Sequence, residues 1–106
     1  MLRRGFLGLL PAAALTALPQ SQSADDVLKD LLDGNARFAS GHTLNPRQSP
    51  ADFSKLASGQ KPEAVIVGCA DSRVPPEILF DQGVGDLFVI RVAGNIVNGA
   101  GATMVC

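Results

Sequence analysis

The stretch "EAVIVGCADSRVPPEILFDQGVGDLFVIRV", residues 63–92, decides how this chain folds. "EAVIVGC", residues 63–69, is a continuous β-branched run bounded by Pro62 and Gly68. Such a continuous run reads as a strand buried on both faces, as in a parallel sheet. "PPEILFDQG" reads as a short helix, with proline in its first turn and glycine after its end. "GDLFVIRV" reads as a second buried strand carrying one charge, Arg91. The order strand, helix, strand predicts a parallel crossover. The expected fold class is therefore α/β, with an incomplete parallel sheet over residues 64–69 and 86–92.

Upstream, residues 23–41 have the pattern of an amphipathic helix. Val27, Leu28, Leu31, Leu32, Phe38 and Ala39 recur at spacings of three, four and seven. Ser23 is placed to cap it, Asp25 and Asp26 suit its positive end, and Gly41 is a natural stop. Gly34 in its middle costs about 1 kcal/mol relative to alanine. "HTLNPRQSP" reads as a loop and "ADFSKLASGQ" as a short second helix ending at Gly59. After Asn95 the glycine-rich and then apolar end has the pattern of a helix beginning.

The first 24 residues differ in kind. Arg3 and Arg4 precede an apolar centre and a small, polar tail, the arrangement of an export signal. The apolar centre is shorter than the roughly 20 residues a spanning helix needs. "RRGFL" is similar to a twin-arginine signal, although Leu2 stands where Ser or Thr is usual. The alternative is an uncleaved apolar segment that packs on or anchors the domain. The expected layout is residues 1–24 as signal and 25–106 as part of one domain, in a periplasmic or secreted protein. Contact with a membrane is expected only through the signal segment. A formal charge of −1 over 106 residues, without a basic run, argues against nucleic acid as a partner.

Cys69, Asp71 and Arg73 sit at alternate positions where the first strand should end. If the strand runs that far, Cys69 and Asp71 share a face. In open parallel sheets, ligand sites gather beyond the carboxyl ends of the strands. A thiolate is a strong zinc ligand and a carboxylate an acceptable one. Two ordinary readings compete: Cys69 as a small apolar filler, and Asp71–Arg73 as a surface ion pair worth less than about 1 kcal/mol. The two cysteines, Cys69 and Cys106, also invite a disulfide in an exported protein, but sequence does not place their Cα atoms.

The longer segment "GCADSRVPPEILFDQGVGDLFVIRVAGNIV" resembles the first catalytic segment of the β-class carbonic anhydrases. The resemblance extends back through "GQKPEAVIV" and to "LLDGNARFASG". It implies a zinc cofactor, with Cys69 as the first ligand. Asp71 would either fill the fourth zinc position or swing away to pair with Arg73. It implies that Gln60 hydrogen-bonds bicarbonate and that Phe88 lines an apolar pocket for CO2. Gln60 as an exposed loop residue and Phe88 as core remain the alternatives. The reaction implied is reversible hydration of CO2 to bicarbonate, in a homodimer or higher oligomer.

The family completes its zinc site with a later His-x-x-Cys element. His42, the single histidine, matches no family ligand, and Thr103 occupies the position three before Cys106. The 106 residues are therefore expected to carry half of a zinc site, as a truncated product or a fragment. Two other functions stay open: an exported, non-catalytic fragment, and an anion-binding α/β module using the start of the Pro75 helix.

Overall fold

The computed structural model describes residues 22–98. Helix α1 spans Ala24–Ser40. Its start is closed by a reciprocal pair of bonds, Asp26 N–H to Ser23 Oγ at 3.2 Å and Ser23 N–H to the Asp26 carboxylate at 3.3 Å. Its end is closed by Gly41 in the left-handed conformation, φ 76°, whose N–H reaches the carbonyls of Arg37 and Phe38. Both caps are the residues expected from sequence.

Helix α2 is Pro50–Lys55, shorter than expected and beginning one residue earlier. The same capping logic explains its start. Ser49 accepts from Asp52 N–H, Asp52 accepts from Ser49, and Pro50 takes the first helical position, where its missing N–H costs nothing. Residues 56–58 continue as turns, with Ala57 N–H on the Ser54 carbonyl, and Gly59 N–H reaches the Leu56 carbonyl.

Strand β1, Ala64–Cys69, has the expected bounds. Strand β2, Leu87–Val92, begins one residue late. Asp86 is held in the preceding turn, its carboxylate accepting from Gly83 N–H at 2.7 Å and from Arg47 Nη2 at 2.6 Å. The strands pair in parallel, Ala64 with Leu87 through Cys69 with Val92. Between them α3, Pro76–Leu79, is a single turn. It stops because Asp81 adopts the left-handed conformation, φ 48°.

The expectation that both strands are buried on both faces does not hold among the described residues. Leu87 and Ile90 are buried, yet Val65 and Phe88, which pair on one face, are 44% and 41% exposed. Uninterrupted apolar character makes a strand suitable for cover on both faces. It does not supply the covering element. No helix among the described residues is long and apolar enough to cross a membrane.

The hub of the described fold is Asp81, 1% exposed. Its carboxylate accepts from Leu44 N–H at 2.9 Å, Asn45 N–H at 3.0 Å and Arg37 Nε at 2.6 Å. One side chain thus joins α1, the loop after it and the end of α3. The backbone N–H of Leu44, with help from Arg37 and Asn45, holds the Asp81 carboxyl below the usual carboxylate range against the opposing effect of burial. A carboxylate with a depressed folded pKa stabilises fully above its unfolded value of about 4. That contribution fades as pH falls through the lower folded value. Asp81→Asn is therefore expected to lower the melting temperature at pH 7 and to flatten its decline below about pH 4. Melts from pH 2 to 7 check this; parallel acid limbs for the two proteins would contradict it.

Candidate metal and proton-transfer site

Cys69 is the last residue of β1, and Ala70 N–H still reaches the Val92 carbonyl at 3.0 Å. The chain then turns, with Val74 N–H on the Asp71 carbonyl at 3.2 Å. Strand alternation therefore does not extend to Asp71, contrary to the simplest sequence expectation. The turn brings the two residues together instead: Asp71 N–H donates to Cys69 Sγ at 3.4 Å. A second donor, Gly94 N–H, reaches the sulfur at 3.3 Å from the 3-10 turn Ala93–Asn95 that follows β2. Gly94 has φ 72°, a conformation that costs a side-chain-bearing residue and that turns its N–H toward the thiol. These donors, Asp71 N–H first, then Gly94 and Asn95, draw the Cys69 thiol below its ordinary pKa, with burial and the Asp71 charge opposing.

Asp71 and Arg73 form a two-pronged pair. Arg73 Nη2 lies 2.7 Å from Oδ2 and Nε 3.0 Å from Oδ1, while Arg73 N–H adds a bond of 2.8 Å to Oδ1. The Arg73 side chain holds the Asp71 carboxyl below the usual range, helped by its own N–H, and is itself pushed up. Arg73 is 86% exposed and Asp71 35%, so the pair sits at the surface. In this arrangement both carboxylate oxygens of Asp71 are engaged by arginine.

In the sequence, Arg91 reads only as one charge in an apolar strand. Its Nε donates to the Cys69 carbonyl at 2.8 Å, and its Nη2 donates to the Asp71 carbonyl. The signal that could have found it was that isolated charge, since an arginine inside a buried-type strand needs partners.

The remaining expected residues lie elsewhere. Phe88 is on β2 opposite Val65, on the face that carries Cys69 but four residues before Val92, roughly 13 Å along the strand. Gln60 is exposed before β1, in a groove with Leu56, Lys61, Val84 and Asp86 at the opposite end of the sheet. His42 is exposed, its Nδ1 3.3 Å from Ser40 Oγ. Within the described residues, then, Cys69, Asp71 and Arg73 come together, and Gln60 and Phe88 do not join them. Cys106, and with it the disulfide reading, lies outside the described residues, as do most of the signal segment and the apolar end.

The family model described as carbonic anhydrase matches residues 64–105. Carbonic anhydrase 2 of Mycobacterium tuberculosis (strain ATCC 25618 / H37Rv) is 56% identical over 72 residues, which is 68% of this chain and 35% of the relative. A carbonic anhydrase of Mycolicibacterium smegmatis is 53% identical over the same shares. The chain belongs to the β-carbonic anhydrase family. Among solved structures, the Coccomyxa β-carbonic anhydrase in complex with acetazolamide is 41% identical, covering 72% of this chain and 32% of that one, with a TM-score of 0.43. The chain spans about a third of the length of the curated relatives it matches.

Carbonic anhydrase chemistry of the β class implies zinc. The donor set here fits zinc in kind: a thiol drawn toward thiolate by two backbone N–H groups, with a carboxylate beside it. It is short in number. No group of three or more His, Cys, Asp or Glu side chains that could hold a metal exists among the described residues.

Proposed function

We propose that this segment supplies the first half of the active site of an enzyme that reversibly hydrates CO2 to bicarbonate with zinc. The observation that carries this reading is the Cys69 thiol, held by Asp71 N–H and Gly94 N–H next to the Asp71–Arg73 pair. Zinc, when bound, supplies the Lewis acidity that makes a hydroxide nucleophile available near neutral pH. Cys69 would be one of its ligands. Arg73 keeps the Asp71 carboxylate occupied, so that it stays ionised and clear of the metal position. From there Asp71 can accept the proton that water gives up as it becomes the nucleophile. Gln60 and Phe88 would serve the substrate only if a partner copy or further chain brings them to such a site, in keeping with an oligomer.

Taken alone, the 106 residues offer zinc two of the ligands expected of the family. We expect them to be non-catalytic by themselves. Stopped-flow CO2 hydration should show no zinc-dependent rate for the 106-residue chain. The same chain extended through a downstream His-x-x-Cys element should show one. A zinc-dependent rate in the short chain that Cys69→Ser abolishes would overturn the expectation for the fragment. A zinc-loaded extended chain without activity would overturn the enzymatic reading.

Export belongs to the same proposal and rests on Arg3, Arg4 and the apolar run after them. Changing both arginines to lysine should leave precursor in the cytoplasm on cell fractionation. Undiminished export would exclude the twin-arginine route.

A further inference from the structure

We propose that Arg91 is a positioning residue: its guanidinium clamps the main-chain carbonyls of Cys69 and Asp71 and so sets the thiol and the carboxylate in one fixed relation. The inference rests on the reading of Cys69 and Asp71 as site residues, and its geometry is independent of zinc.

At Cys69 the chain leaves the sheet. Up to that point the parallel ladder with β2 dictates the backbone, and Ala70 N–H makes a rung to Val92. Beyond it, the direction of the turn decides where the Asp71 side chain goes and whether Asp71 N–H points at the sulfur. Arg91 reaches this turn from the neighbouring strand. It pairs with Gly68, and it lies next to Val92, the partner of Cys69. The absence of a side chain at Gly68 leaves that position open, the nearest heavy atom to a Cβ there being Pro76 Cγ at 4.0 Å. From there Nε takes the Cys69 carbonyl at 2.8 Å and Nη2 takes the Asp71 carbonyl. The two acceptors flank Ala70, so the planar fork spans the peptide units that join thiol to carboxylate. The sulfur then receives Asp71 N–H from one side and Gly94 N–H from the other.

A fork differs from a charge. Guanidinium nitrogens sit in a rigid plane and serve two acceptors at fixed separation, whereas the lysine ammonium is a point on a flexible stem. If Arg91 acted by its charge near Asp71, lysine would replace it. If it acts by bridging two carbonyls, lysine restores the charge and loses the geometry.

Amide hydrogen exchange on the metal-free 106-residue chain tests this, with Arg91→Lys and Arg91→Gln beside the parent. Exchange at Asp71, Arg73 and Gly94 should accelerate about tenfold or more in both variants, while the ladder amides at residues 66–67 and 89–90 keep their rates. Parent rates at Asp71 and Gly94 in both variants would overturn the proposal. Full protection restored by lysine would overturn the fork in favour of the charge. Acceleration of ladder and turn amides together would assign Arg91 to general stability and overturn it as well. Because no zinc or CO2 is used, a failure here is separate from a failure of the proposed enzymatic activity.

Discussion

Gly34→Ala is expected to destabilise the protein by about 2 kcal/mol or more, although it places the best helix-forming residue in the middle of a helix. Propensity alone predicts a gain of about 1 kcal/mol. The packing predicts the opposite. Gly34 is buried on α1, where a Cβ would overlap the Phe80 carbonyl oxygen and come within 2.8 Å of its carbon. Both sides of that contact are backbone, so no side-chain rotation relieves it. To admit a methyl group, α1 must move off the end of α3. That movement strains the bond from Asn35 Nδ2 to the Leu79 carbonyl at 2.9 Å and the Arg37–Asp81 pair at 2.6 Å. Overpacking costs about 1–3 kcal/mol where neighbours can adjust, and this site lies at or above that range because they cannot. The melting temperature should fall by roughly 10 °C, since about 4–8 °C accompanies each kcal/mol in a domain of this size. A calorimetric scan of the two proteins decides the sign; a higher midpoint for Gly34→Ala would mean that α1 and Phe80 do not approach as described.

In a chain carrying the downstream ligands, Cys69→Ala should weaken zinc binding by about two to three orders of magnitude. Structural zinc sites bind with about 10–16 kcal/mol over four ligands, so one thiolate accounts for about 3–4 kcal/mol. Asp71→Asn should keep most of the zinc and lose most of the hydration rate, because the charged proton acceptor is gone. Arg73→Ala is the informative third variant. The structure shows Arg73 engaging both oxygens of Asp71 from side chain and backbone. Without the guanidinium, the carboxylate loses its competing partner and becomes free to take the metal position. Zinc should be retained and activity reduced. Metal content and hydration rate on all three give the answer. Full activity in Arg73→Ala, or zinc loss in Asp71→Asn as complete as in Cys69→Ala, would refute the switch between Asp71 and Arg73.

The sequence by itself determined the local elements. Ser23 and Gly41 bound α1 because capping is a contact between a residue and its near neighbours. The β1 run is continuous and bounded by Pro62, so its ends were legible. The motif Cys69-x-Asp71-x-Arg73 was legible as a candidate because its members lie within five residues of one another. Where local signals compete, boundaries slipped: α2 begins at Pro50 because Ser49 and Asp52 form the cap, and β2 begins at Leu87 because Asp86 is committed to Arg47 and Gly83. What only the tertiary structure decided involves groups distant in sequence. Gly34 looked like a flaw in a helix and is the point where α1 meets Phe80. Asp81 looked like the polar end of a short helix and is the buried anchor for Arg37, Leu44 and Asn45. Arg91 looked like an odd charge and joins the carbonyls of Cys69 and Asp71, 22 and 20 residues away. Gly94, 25 residues beyond Cys69, completes the cradle of its sulfur. Residue pattern reports what each segment favours by itself. Which carbonyl a guanidinium reaches, or which backbone a glycine admits, depends on how segments are brought together, and that is set by the packing of the whole.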